Sequence, residues 1–564
     1  MRWGKWPWLF VFLGRFSDQN RSKVCSKCGV IQQYLDNYRG DRLYSTKYHT
    51  LKYYDLPLYR YDTRKYDTQV YIVNKTDFRG RVEELKLLDD LWDAPKATLL
   101  FLYGRRRVGK TRLLIHWLTK HQDRGIYWVA EPSSAFHQLR SFSQAIYNFS
   151  HPESPSPQDF TYANWDQAFA EVARLAETER LALFIDEITY LIDVDPTIVG
   201  KLQKIWDHVL KPSQVKLALA GSQRGVIEKM FAPKEPLYGR ANALLDLPPL
   251  PFTVVCDFFP EYSLPEWVQI YAMLGGVPAY LERLDASLSI MDNIEQLLIP
   301  NTLMREEPRL LLQDFISDAH NYVSILKAIA QGAKTQLEIS NHTGLSQGHI
   351  SKYLSVLRDS GFVERQIPIT DSAKSRRGHY SITDPYLRFY HRFLATPTHL
   401  ALGRSQQAMK EIERDMGAFI EQYTWRELCQ SWLIAVSNRG DFETTFDKVG
   451  SAWTSKYFVD VAGIQQRSKR LVLGTCHWTD DPIDETSLLS LLDNAENVAR
   501  KQGTWLIDFV GFSANGWTAA AHQFAEAVAA TQSGKHWRAR SCRLLTLEDV
   551  YADLREIKLE SLLN

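Results

Sequence analysis

Apolar residues in this chain follow two alternating rhythms. Continuous apolar runs occupy residues 97–103 (ATLLFLY), 125–130 (GIYWVA), 180–186 (RLALFID) and 215–222 (VKLALAGS). Runs this short, apolar on both faces and bounded by turn residues, read as buried strands. Between them, residues 110–121 and 200–210 repeat apolar positions at helical spacing. Such an αβ alternation predicts a parallel sheet covered by helices on both faces. Residues 151–160 (HPESPSPQDF) read as a Pro/Ser-rich loop between two helical stretches. Upstream, residues 77–92 read as a short turn followed by an amphipathic helix. From about residue 258 to 313 the pattern is mostly helical, broken at LGGVPAY (274–280). Residues 319–395 carry three short helical patterns and then a strand, and residues 405–564 return to mixed α and β. Residues 1–75 are rich in tyrosine and arginine and show no clear period. The expected division is an N-terminal extension (1–75), an α/β core (76–255), a helical unit (256–318), a helix-turn-helix unit (319–395) and a second α/β domain (405–564).

A length of 564 residues suits roughly three to five domains. The 67 basic and 66 acidic residues leave a net charge of +1, so no global field draws the chain to nucleic acid, and any DNA contact must rest on a local patch. Of the six cysteines only Cys25 and Cys28 are close in sequence. That argues against a disulfide framework and suits a reducing cytoplasm. Cys25-x-x-Cys28 is half of a zinc-ribbon spacing. A four-ligand site needs two more thiolates or imidazoles, and only His49 is near. Zinc there is not expected. The apolar run at residues 6–13 is shorter than the roughly 20 residues that span a bilayer, and no small-residue cleavage site follows it. A soluble cytoplasmic protein without a membrane partner is expected.

The chemistry concentrates at Gly104-Arg105-Arg106-Arg107-Val108-Gly109-Lys110-Thr111. This fits G-x-x-x-x-G-K-[ST], after a strand run and before a helix, the context that the motif requires. Its glycines let the backbone curl so that N–H groups face phosphate oxygens, and the helix N-terminus adds positive partial charge. Lys110 reaches the β- and γ-phosphates of ATP, and the Thr111 hydroxyl ligates Mg²⁺. Arg112 continues the nucleotide-binding stretch. Arg105, Arg106 and Arg107 are counted with the loop but lie on its outer arc, where they read as solvated or partner-facing. Asp186 and Glu187 end an apolar strand: the first carboxylate can hold Mg²⁺ and the second can activate water. Ser222 is placed to sense the γ-phosphate. Arg240, in PLYGR, either brings positive charge to the transferring phosphate, in cis or from a neighbouring subunit, or forms a structural ion pair.

DFRGRVEELKLL, FLYGRRRVGKTRLL, LALFIDEITYL, LALAGS, PLYGR and LGGVPAYLERL together resemble, in the right order, the archaeal-type ATPases related to the AAA+ and STAND classes. The resemblance covers about residues 77–395. It implies a five-stranded P-loop core, a small helical lid holding the GGVPAY turn, and a winged helix. It also implies that Phe78 to Arg81 lie beside the nucleotide base.

The winged-helix reading also stands on spacing. Ile325, Leu326 and Ile329 line a first helix, a second ends at Gly344, and Ser346 caps a third that carries Ile350, Tyr353, Leu354 and Leu357. The exposed face of the third helix offers Gln347, His349, Ser351 and Lys352, and the wing offers Lys374, Arg376 and Arg377. A helix in the major groove with a basic wing on phosphates is the usual docking on DNA. Winged helices also serve as protein-contact modules, and this third helix carries few bases.

Members of the resembled family often end in a domain similar to PD-(D/E)xK restriction nucleases. Carried over residue by residue, Glu421 matches the helical glutamate and Asp460 the central aspartate. Phe458 stands where the pattern has a second strand glutamate. Thr475 and His477 stand where a glutamate and the lysine belong, while Cys476 and Trp478 are retained. Such a site needs two strand carboxylates for Mg²⁺ and a lysine for the water. The resemblance therefore implies a nuclease-like fold kept for binding or assembly. The expected function is a Mg²⁺-dependent ATPase acting as a nucleotide-driven switch, associated with DNA, with a further copy or another protein as partner. Two alternatives stand beside it: a DNA-binding regulator or scaffold with structural ATP, and an ATP-gated nuclease in defence against mobile DNA.

Overall fold

The computed structural model describes residues 78–121, 124–297, 303–313, 320–395, 405–499 and 503–563. Cys25, Cys28 and His49 lie outside the described residues. Strands β1 (Thr98–Tyr103), β2 (Gly125–Val129), β3 (Leu181–Asp186), β4 (Val215–Gly221) and β5 (Ala243–Asp246) form a five-stranded parallel sheet in the order β2-β3-β4-β1-β5. β1, β3 and β4 are buried along their whole length, which is why each reads as an unbroken apolar run. β5 pairs with β1 alone, alternates half-buried and exposed positions, and leaves Leu244 49% exposed. A four-residue edge strand carries no such run, so periodicity did not mark it.

Helices Val82–Asp93 and Lys110–Lys120 cover one face of the sheet through Leu88, Trp92, Leu114 and Trp117. Helices Ala135–Ser150, Trp165–Leu175 and Ile198–Ile205 cover the other through Phe142, Phe169 and Leu202. Burying each such side chain contributes about 1.5–3 kcal/mol. The helical starts are set locally: the Ser134 side chain accepts from the His137 N–H and the Asn164 side chain from the Gln167 N–H.

The helices after β5 include Leu264–Leu274, Pro278–Leu281, Ile290–Leu297 and Leu303–Gln313. The GGVPAY turn needs its glycines for contact. A Cβ on Gly276 would sit 1.7 Å from the Leu250 carbonyl oxygen, and the Leu250 N–H donates to the Gly276 carbonyl at 2.7 Å. Next comes the winged helix: helices His320–Ala330, Gln336–Thr343 and Gln347–Asp359, then antiparallel β6 (Val363–Gln366) and β7 (His379–Ile382). Thr335 and Glu338 form a capping box, and Gly344 ends the second helix at φ 71°. This unit has its own core around Ile325, Leu326, Ile350 and Leu354.

The C-terminal sheet holds β8 (Lys448–Trp453), β9 (Phe458–Gln465), β10 (Arg470–His477), β11 (Trp505–Ser513) and β12 (Trp537–Thr546) in the order β12-β11-β10-β9-β8. β8, β9 and β10 run antiparallel, while β10, β11 and β12 run parallel. One hydrophobic cluster joins Val268 and Met273 of the helical unit, Tyr386 and Phe389, and Trp425, Trp432 and Phe512 of the C-terminal part. The helical unit thus shares its core with the last domain. Among the described residues no helix is long and apolar enough to cross a membrane.

Candidate functional site

Helix Lys110–Lys120 begins at Gly109, whose φ of 101° lies in the region that glycine tolerates. Gly104, at the other end of the loop, leaves no room for a Cβ, which would meet the Leu247 carbonyl oxygen at 2.5 Å. Lys110 is buried and donates to the carbonyls of Gly104 (3.0 Å) and Arg105 (3.2 Å). Burial pushes its ammonium below the usual range, while Glu187 and Asp186 pull it back up. Thr111 Oγ1 donates to Asp186 Oδ2 at 2.5 Å. Asp186 is 1% exposed, and its other oxygen accepts the Glu187 N–H at 2.9 Å. A hydroxyl and a carboxylate converging this way are hard oxygen donors of the kind Mg²⁺ takes alongside phosphate oxygens and water.

The Ser222 hydroxyl donates to Glu187 Oε2 at 2.9 Å, so it holds the glutamate. Arg240 is forked onto Asp207, with Nε at 3.0 and 3.1 Å and the terminal nitrogen at 2.7 Å. Its guanidinium also donates to the Pro236 carbonyl. Of the two roles open to Arg240, this geometry shows the structural ion pair, a guanidinium forked onto one carboxylate.

The outer arc of the loop requires a correction. Arg105 and Arg107 are half-buried and pair with other parts of this chain. Arg105 is ion-paired with Asp384 and donates to the Tyr280 hydroxyl at 2.8 Å. Arg107 contacts Glu307 at 2.8 Å, an ion contact not aligned as a hydrogen bond. Arg106 is exposed, Val108 fully buried, and Arg112 pairs with Glu282. Phe78, Arg81, Val108, Gly109 and Arg112 line one pocket with Arg79, Leu250, Phe258, Pro278 and Glu282. Phe78 stacks on His116 with centroids 4.0 Å apart. Arg81 donates to the Val108 carbonyl at 3.0 Å, so its guanidinium braces the loop backbone.

Sequence reasoning missed Tyr127. From β2 its hydroxyl donates to Asp186 Oδ2 at 2.7 Å, onto the oxygen that Thr111 contacts. It also missed Tyr280, Glu307 and Asp384. A tyrosine inside an apolar strand run carries no local mark of this role.

In the winged helix His349 and Lys352 are exposed, as the third-helix pattern expects. The wing is less free than expected. The Ile369 N–H donates to the Ser451 carbonyl in β8 at 3.0 Å, the Trp453 indole donates to the Arg377 carbonyl at 3.1 Å, and His379 stacks on Trp453 at 4.7 Å. Arg377 is paired with Asp371 at 2.5 Å, a carboxylate within the wing itself. Lys374 and Arg376 remain exposed.

Beside the end of β10, Asp460 of β9 is paired with Arg426 at 2.7 Å, and that guanidinium also lies 4.7 Å from the centre of the Phe458 ring. Glu421 accepts the Trp478 N–H at 2.8 Å, and His477 Nε2 meets Thr475 Oγ1 at 3.0 Å. Burial pushes the Cys476 thiol up and the His477 imidazole down, against both a thiolate nucleophile and a charged imidazole.

Residues 78–284 match the model of an ATPase domain predominantly from Archaea. Residues 322–365 match bacterial regulatory proteins of the arsR family, and residues 390–494 match archaeal and bacterial proteins of unknown function. An uncharacterized protein of Methanocaldococcus jannaschii is 28% identical over 405 residues, covering 72% of this chain and 88% of that one. An uncharacterized ATP-binding protein of the same organism is 54% identical over 41 residues, 7% of this chain and 70% of the other. Among solved structures, the Walker-type ATPase of Pyrococcus abyssi gives a TM-score of 0.44 at 19% identity, covering 56% of this chain and 96% of that one.

Proposed function

We propose that this chain, which carries an archaeal-type ATPase domain, an ArsR-type helix-turn-helix and a C-terminal domain of unknown function, is a Mg²⁺-dependent ATPase acting as a DNA-associated switch. The observation that carries the reading is the 2.5 Å contact between Thr111 and Asp186, which joins the phosphate loop to the strand-end carboxylates beside Lys110. Lys110 holds the phosphates. Thr111 and Asp186 hold Mg²⁺, which when bound offsets negative charge on the phosphates. Glu187, kept in place by Ser222, takes the proton of the attacking water. The pocket lined by Phe78, Arg81 and Arg112 suits the nucleoside end. The exposed third helix with His349 and Lys352 supports a DNA contact.

The test is direct. Lys110→Ala abolishes binding of a fluorescent ATP analogue, and Glu187→Gln retains binding but lowers phosphate release at least about a hundredfold. Variants that hydrolyse ATP like wild type would sink the assignment.

The C-terminal domain reads as a nuclease-like fold without nuclease chemistry. Arg426 places a fixed positive charge on the one strand carboxylate, Asp460, and Phe458 and Thr475 replace the others. Metal-dependent DNA cleavage lost in Asp460→Ala would count for the nuclease reading.

A further inference from the structure

The phosphate loop is braced from helices far along the chain. Arg107, at its outer arc, has φ 68°, a left-handed conformation unfavourable for a residue with a side chain. Its guanidinium lies 2.8 Å from Glu307, whose side chain is 1% exposed. The other oxygen of Glu307 accepts from the Tyr280 hydroxyl at 2.9 Å, and that hydroxyl accepts from Arg105 at 2.8 Å. Arg105 is also paired with Asp384, which caps helix Pro385–Phe389 by accepting the Leu387 N–H. The Tyr386 hydroxyl in that helix donates to the Met304 carbonyl at 2.5 Å, one turn before Glu307. The ring of contacts closes on itself through Arg105 of the loop and fixes the Glu307 carboxylate where it meets Arg107.

We propose that Glu307 is a positioning residue for the phosphate loop: its ion pair with Arg107 holds the outer arc in the curled, left-handed conformation. This rests on reading GRRRVGKT as a nucleotide site. A glycine at position 107 adopts the same conformation without help, so it relieves the need for the carboxylate.

The experiment uses the full chain, a fluorescent ATP analogue for Kd, and phosphate release for KM and kcat. Glu307→Gln is expected to raise Kd and KM roughly tenfold with kcat changed by no more than about twofold. In an Arg107→Gly background, the same substitution adds less than about twofold to that background's own Kd. Wild-type affinity in Glu307→Gln, or an undiminished loss in the Arg107→Gly background, overturns the proposal. Should Glu307→Gln fail to fold, Arg107→Ala and Arg107→Gly carry the test from the loop side: the alanine variant is expected to bind roughly tenfold more weakly, and equal affinities overturn the proposal. A folded wild-type chain that binds no nucleotide removes the site reading and this proposal together. Binding lost in Lys110→Ala but unchanged in Glu307→Gln leaves the site reading standing and removes the proposal alone.

Discussion

The Asp186 carboxylate accepts from Thr111, Tyr127 and the Glu187 backbone. The sequence marks the first and last by position, whereas Tyr127 acts only because β2 lies beside β3 in the sheet. Tyr127→Phe removes one hydrogen bond worth about 1 kcal/mol. It is expected to leave metal-free nucleotide affinity unchanged and to raise the Mg²⁺ needed for half-maximal turnover about fivefold, measured by Mg²⁺ titration of phosphate release. A second residue shows how burial alone sets chemistry. His391 is 1% exposed with neither ring nitrogen hydrogen-bonded, and burial pushes its pKa down to about 4. The unfolded chain takes up that proton near pH 6.5, the folded chain only near 4. Between those values the unfolded state binds more protons, so stability falls as pH drops through this window. Between pH 7.5 and pH 5 this costs about 2 kcal/mol. His391→Leu removes the loss, seen as a smaller fall in melting temperature over that range.

At the scale of elements, helix Leu303–Gln313 contains Pro308. Proline has no N–H to donate four residues back, and the carbonyl thereby released is that of Met304, which accepts the Tyr386 hydroxyl. A local sequence defect becomes a tie between two helices. The wing behaves similarly. Its sequence, rich in Lys and Arg, reads as a DNA element, yet residues around Ile369 bond the edge strand β8 and Ile369 joins the core of the C-terminal sheet. Covering an edge strand satisfies backbone groups that would otherwise stay open. Trp453→Ala removes the His379 stack and the bond to Arg377. It is expected to release the wing, so that trypsin cuts after Lys374, Arg376 or Arg377 at least several-fold faster than in wild type, followed by mass spectrometry of the fragments.

For the whole molecule, a net charge of +1 means that any DNA affinity comes from a local patch. With the wing packed on β8, the proposed DNA contact rests more on the third helix. Lys352→Glu is expected to weaken duplex binding and to lower the slope of log K against log salt by about 1, measured by anisotropy over a salt series. A slope unchanged by the substitution would place the DNA contact elsewhere.

By itself the sequence determined what a few neighbouring residues can decide. The apolar rhythm marked β1 to β4, capping residues set helix starts, and the spacing of GRRRVGKT placed the phosphate loop. Each rests on backbone preference or periodicity within about ten residues. Tertiary structure decided which charges meet. Arg105 reaches Tyr280, 175 positions later; Arg240 reaches Asp207, 33 positions earlier; Arg426 meets Asp460 across a helix and a strand. An arginine reads the same in sequence whether it will face phosphate, solvent or a buried carboxylate. Only the packing of distant elements chooses the partner, because a buried charge must find its counter-charge wherever the fold brings one.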